Sequence, residues 1–200
     1  MNKQNPANTP EFNTLKSRNE NIREAILEGK IPMLPFEQKQ LEIELLGHTA
    51  TQNELSRLLG EAMQTTSETW HDNAQADAVT MQSGILVQQA NGVLSALKNR
   101  FIIPYEHDEK SKVSIGALVN VFIGAYPETM FMTGRQRSLP ESVTAVVGED
   151  TTAVNVQSPL GEVIFDKPEG TVASYRVGDR QLEVTIVSIE YPDLTPATEG

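Results

Sequence analysis

Residues 35–64 read PFEQKQLEIELLGHTATQNELSRLLGEAMQ. Leu41, Leu45, Leu55, Leu59 and Ala62 recur at helical spacing, with His48 and Gln52 interrupting the stripe. Pro35 suits a first helical position, where a missing N–H costs nothing. After Thr65-Thr66-Ser67 the pattern resumes with Val79, Leu86, Ala90, Val93 and Leu97, spaced 7, 4, 3 and 4. That spacing is heptad-like. No proline stands between Pro35 and Pro104. The expectation is two long antiparallel helices joined near residues 65–73, a coiled-coil hairpin over 35–104. Each helix would have about 28 to 33 residues and span roughly 42 to 50 Å. A body of about 90 residues cannot cover such a pair, so the hairpin is expected to project into solvent. Heptads alone say only that helices pack, so a plain spacer or dimerisation arm fits them equally.

On the N-terminal side, residues 1 to about 12 are rich in Asn, Pro and Thr and read as a disordered tail. Residues 14–28 fit a short helix, with Leu15, Ile22, Ala25 and Ile26 on one side and Gly29 as its stop. Ile31-Pro32 and Leu34-Pro35 then break any helix. Residues 1–34 are thus a polar extension.

On the C-terminal side the period changes to that of strands. VSIGALVNVFIGA (113–125), TMFMTG (129–134), SVTAVVG (142–148), GTVASYRVG (170–178) and QLEVTIVSIEY (181–191) are β-branched runs punctuated by glycine. The last alternates Leu182, Val184, Ile186 and Ile189 with polar residues, and slips around Val187-Ser188. SPLGEVIFDK suits one short helix capped by Ser158, with Pro159 at its first position. Residues 105–192 therefore form a small β-rich domain and 193–200 a polar tail. The fold class is α+β.

Composition removes several functions. The chain has 200 residues, a net charge of −11 and 38% hydrophobic residues. The acidic balance argues against gripping nucleic-acid phosphates along the protein's own surface. Without cysteine there are no disulfides, Cys-type zinc sites or thiol nucleophiles. His48, His71 and His107 show no zinc spacing. No run of about 18 apolar residues suggests a membrane span, and the first residues lack the apolar core of a secretory signal.

VQSPLGEVIFDKPEGTVASYRVGDRQLEVTIVSIEY (156–191) resembles the C-terminal domain of the Gre family of bacterial transcript-cleavage factors. The likeness rests on Ser158-Pro159-Leu160-Gly161, the turn Lys167 to Gly170, the turn Gly178-Asp179 and the run Val184 to Ile189. Upstream, SIGALVNVF (114–122) resembles the family's first strand. Asp72-Asn73-Ala74, where the second long helix begins, looks like the family's Glu-Asn-Ala at the hairpin tip. The resemblance covers about residues 36–192. It implies a coiled-coil hairpin followed by an FKBP-like domain, in a cytoplasmic, monomeric accessory factor rather than an enzyme. Such a factor binds RNA polymerase through its secondary channel. It stimulates cleavage of backtracked RNA by offering tip carboxylates to the polymerase Mg²⁺, and it carries no cofactor of its own. RNA is met only at its 3′ end within that complex. Oxygen ligands suit a hard cation and an oriented water suits hydrolysis. The catalytic and Mg²⁺-contacting residues implied here are Glu68 and Asp72, with Trp70 and Asn73 as tip contacts. The polymerase-docking residues implied are Gln157, Ser158 and Pro159.

The tip departs from the family pattern of two acids three apart. Thr69 stands where the first acid belongs, and Glu68 lies four before Asp72. Both acids also suit a helix N-terminus on dipole grounds alone, Trp70 suits a packed hairpin cap, and Ser158-Pro159 suits a plain helix cap. Arg57 is the one basic residue between Lys39 and Lys98, where cleaving members meet RNA with basic side chains. This fits weak cleavage, or a Gre-like regulator that occupies the channel without cleavage and inhibits or competes with other channel-binding factors. An adaptor with an unrelated partner is a further possibility. A prolyl isomerase would need an aromatic-lined pocket, whereas Phe101, Tyr105, Phe122, Tyr126, Phe131, Phe165, Tyr175 and Tyr191 mostly stand at strand positions.

Overall fold

A computed structural model of the chain describes residues 13, 16–65, 74–106, 110–136 and 138–194, with backbone alone for 62–65 and 74–75. It forms two compact units. Residues 38–99 make one; the described residues up to Glu37 and from Arg100 onward make the other, the body.

The body begins with α1 (Arg18–Leu27). Ser17 Oγ accepts from the Glu20 N–H at 3.3 Å, and Glu20 Oε2 accepts from the Ser17 N–H at 2.8 Å. Two orphan donors of the first turn are so satisfied. Gly29, at φ +73, ends the helix in a conformation that suits glycine. The helix lies on the β-rich part of the body, with Ile22 and Ala25 in the core beside Phe101, Val113 and Phe165. Strand β1 (Ile31–Met33) follows and pairs in parallel with β2 (Arg100–Ile102), Pro32 standing opposite Phe101.

The chain between these strands is the helical unit. Its helices are α2 (Pro35–Thr65), whose first turn belongs to the body, and α3 (Ala74–Lys98). Leu41, Leu55, Val79 and Val93 are buried. Gln52 Nε2 donates to Ser83 Oγ at 2.7 Å. His48, nearer the start of α2, shares a groove with Ala90, nearer the end of α3. Both meetings require helices running in opposite directions.

The body's main sheet contains β3 (Leu118–Ile123), β4 (Tyr126–Thr133), β5 (Thr152–Asn155), β6 (Val172–Val177) and β7 (Arg180–Glu190). Its strand order is β5-β4-β3-β7-β6. All neighbours are antiparallel except β4 and β5. A parallel pair needs a crossover, and helix α4 (Glu141–Val147) lies in it. This corrects the reading of Ser142 to Gly148 as a strand. Val143 and Val147 are four apart and both buried, so one helical face carries them inward. The body therefore has a second short helix beside α5 (Pro159–Ile164), which leads from β5 towards β6. The run 113–125 is a strand only from Leu118; Val113 and Ile115 before it are buried in a non-strand segment. The slip at Val187-Ser188 is a bulge: Asn120 pairs with Ser188 but Val121 pairs with Ile186. The core between sheet and helices holds Val119, Phe131, Met132, Ile164 and Ile186.

Candidate functional site

The loop entering α5 is built by its own polar side chains. Asn155 Oδ1 accepts from the Gln157 N–H at 2.7 Å, and Asn155 Nδ2 donates to the Arg135 carbonyl at 3.1 Å. Ser158 Oγ donates to the Asn155 carbonyl at 2.7 Å and accepts from the Gly161 N–H at 3.1 Å. The second bond is an N-cap, and Pro159 occupies the first helical turn as its fixed φ favours. A Cβ on Gly161 would collide with the Asn155 carbonyl, so the fourth residue of Ser-Pro-Leu-Gly must be glycine for the helix to lie this close. The loop is thereby held while Gln157 and Pro159 stay exposed and Ser158 half-buried.

Helix α1 forms the other wall of the surface beside this loop, which sequence reading missed. Arg23, Ile26 and Leu27 of α1 line a groove of about 360 Å³ with Val156, Gln157, Glu162 and Phe165. Three side chains fasten α1 there. Arg23 pairs with Asp166 at 2.8 Å, and its guanidinium lies 5.7 Å from the Phe165 ring centroid. Asn19 Nδ2 donates to Asp166 Oδ1 at 2.9 Å and to the Val113 carbonyl at 3.2 Å. Arg18 is buried and donates to the carbonyls of Pro104 (2.6 Å), Glu106 (3.1 Å) and Ile115 (2.9 Å) and to Ser114 Oγ (3.2 Å). Asp166 itself sits at φ 63, a conformation Asp tolerates better than most residues. The only legible signal was the polar-plus-apolar mixture of RNENIREAI, which does not say what it packs on.

The first turn of α2 is fixed by a buried carboxylate. Glu37 accepts backbone N–H bonds from Leu34 (2.8 Å), Gly134 (3.1 Å), Arg135 (2.8 Å) and Gln136 (2.9 Å). Burial pushes its carboxyl above the ordinary value, and the four N–H groups pull against that shift. The Tyr105 hydroxyl accepts from the Phe36 N–H at 3.1 Å, and burial raises its pKa.

Glu68, Trp70, Asp72 and Asn73 lie outside the described residues. The structure therefore brings together Gln157, Ser158 and Pro159 and gives no geometry for the tip. Along the helical unit, Arg57 is held between Glu54 (2.6 Å) and Glu61, which raise its pKa. Its charge is already matched by two acids. Among the described residues no group of three or more His, Asp or Glu side chains is placed to hold a metal ion. None of their helices is long and apolar enough to cross a membrane.

No family model matches the chain, and no curated protein matches it. Solved structures similar to it include GreA factor homolog 1 (Gfh1) of Thermus thermophilus. That match has 15% identity and a TM-score of 0.36, covering 80% of this chain and 99% of that one. Gfh1 of Thermus aquaticus is similar at 14% identity and a TM-score of 0.36, covering 80% and 98%. The transcription elongation factor GreA/GreB of Nitrosomonas europaea is similar at 12% identity and a TM-score of 0.31, covering 81% and 98%.

Proposed function

We propose that this chain is a Gre-type accessory factor that binds bacterial RNA polymerase through the secondary channel. In this reading it stimulates cleavage of backtracked RNA with Glu68 and Asp72. The observation that carries the reading is the order of parts. Two long paired helices come before and after residues 66–73 in the chain, the second starting at Ala74, and a five-stranded sheet follows them in sequence, beside which the Ser158-capped helix leaves Gln157 exposed. Gln157, Ser158 and Pro159 dock on the polymerase rim, while Trp70 and Asn73 contact the channel interior. Two carboxylates are an oxygen donor set suited to Mg²⁺, which belongs to the polymerase site. The hydrolysis is then the polymerase's own, and this chain is not an enzyme.

One observation favours a second reading, a channel occupant without cleavage. Arg57 is the sole basic residue between Lys39 and Lys98, and two glutamates hold it. Little attraction for RNA phosphates is left along the helices. The test adds the protein to backtracked elongation complexes carrying labelled RNA, beside a Glu68→Ala, Asp72→Ala variant. Short 3′ fragments that vanish with the variant support the first reading. Loss of cleavage by an authentic Gre factor, without fragments, supports the second. No effect and no polymerase binding overturns both and leaves an adaptor with another partner.

A further inference from the structure

Three consecutive N–H groups converge on one buried side chain. Arg135 and Gln136 donate to Glu37 Oε1, and Gly134 donates to Oε2 beside the Leu34 N–H. The Leu34 bond is the back-bond of an acid at the third position of a helix, and a cap explains it. The other three come from a loop, and a cap does not explain them. Successive main-chain N–H groups turned the same way make a concavity suited to a strong acceptor. Without that acceptor their dipoles repel and buried donors are left unpaired. The Gln136 N–H and the Arg135 carbonyl belong to one peptide unit. It is planar, and none of the described peptide bonds is cis, so the two groups point in opposite directions. With the N–H on Glu37, the carbonyl is turned towards Asn155, whose Nδ2 donates to it at 3.1 Å. The flat carboxamide of Asn155 repeats the device. With Nδ2 engaged, Oδ1 is left to accept from the Gln157 N–H at 2.7 Å. The Asn155 carbonyl then accepts from both the N–H (2.9 Å) and the hydroxyl (2.7 Å) of Ser158. Two rigid planes in series run from a buried acid to an exposed loop.

We propose that Glu37 is a positioning residue for the loop 157–159. It fixes the 135–136 peptide, and that peptide, through Asn155, sets the direction of the Gln157 main chain. What docks on the loop rests on the polymerase reading; the link from Glu37 needs no partner. If the 135–136 peptide turns over, Nδ2 of Asn155 loses its acceptor and the carboxamide is free to rotate away from Gln157. Coupling between two places is reciprocal. A partner seated on Gln157 and Pro159 therefore also steadies the first turn of α2, which belongs to the body.

Main-chain amide resonances of the full chain test the link. Glu37→Met keeps the length and bulk of the side chain but accepts no N–H bond. It is expected to move the Gln157 amide resonance and to speed that amide's hydrogen exchange about tenfold. Val119→Ala opens a cavity in the core of the same body and should leave the Gln157 resonance in place. Asn155→Asp breaks the series at its middle, since a carboxylate cannot donate to the Arg135 carbonyl. It should move the amide resonance of Leu34, at the opposite end. An unmoved Gln157 in folded Glu37→Met, or an equal movement in Val119→Ala, overturns the proposal. Should Glu37→Met unfold, Asn155→Asp decides, and an unmoved Leu34 overturns it. Binding to bacterial RNA polymerase separates the link from the reading it rests on. Where the wild type binds, Glu37→Met should bind about tenfold more weakly and Val119→Ala as the wild type does. Equal binding by all three overturns the positioning of a docking loop. A wild type that does not bind removes the polymerase reading alone, and the resonances still decide the link.

Discussion

Glu37 has no solvent contact, and its carboxyl oxygens are held by four main-chain donors, three of them from 134–136. Its position at the start of α2 was readable as an acid favoured by the helix dipole. Its partners were not, because nothing in PFEQ points to a loop almost a hundred residues away. Burial sets its carboxyl above the ordinary value, so the folded chain holds this proton more tightly than the unfolded one. Its contribution to stability is then full below the ordinary carboxyl value and declines as pH rises through the raised one. Glu37→Gln cannot titrate. Urea midpoints should show the wild type's stability relative to Glu37→Gln declining as pH rises above the ordinary carboxyl value of about 4, and a relative stability that is flat or rises refutes the assignment. Gly134 lies in the same loop, and a Cβ there would collide with the Pro32 carbonyl. The sequence showed this glycine as punctuation; its reason is the close approach of β1.

Among the elements, the long helices were legible because their apolar period is sustained and no proline interrupts it. The short elements were harder. TAVN is only four residues long and was not recognised as β5, while SVTAVV satisfies both a strand's β-branching and a helix's four-residue step. The pairing partner decides such cases, and it is distant in the chain. In α2, Gly47 and Gly60 stand in helical conformation with open space where a Cβ would be. Gly47→Ala and Gly60→Ala should each stabilise the helical unit by about 0.5 to 1 kcal/mol, read as a higher denaturation midpoint of its helical signal. A loss of stability in either would mean that the open space is filled by something other than water.

At the scale of the whole molecule, residues 16–34 of the N-terminal extension belong to the body. Ile22, Ala25 and Leu34 sit in its core, and Arg18 spends its guanidinium on three carbonyls and a hydroxyl from 104–115. Residues 14–28 were readable as a helix; where it docks was not, because every anchor lies on the far side of the helical unit in sequence. Arg18→Ala leaves those acceptors buried and should cost the body about 3 kcal/mol in chemical denaturation. Arg18→Lys should recover only part of it, since an ammonium cannot reproduce the planar fork. A loss below about 1 kcal/mol would show that water replaces the guanidinium. The capped loop entering α5 was legible through its proline and serine, whereas the groove beside it needed α1 to be placed. The pairing of β1 with β2 bears on the two long helices. The segment from Leu34 to Asn99 leaves and re-enters the body between two hydrogen-bonded neighbours, with Ile31 opposite Arg100. Neighbouring strands run about 4.8 Å apart, so the two exits nearly touch. In chain order the two long helices are thus an insertion between two paired strands. Whole helical turns added or removed between Leu34 and Asn99 would therefore leave the pairing of β1 with β2 unaltered.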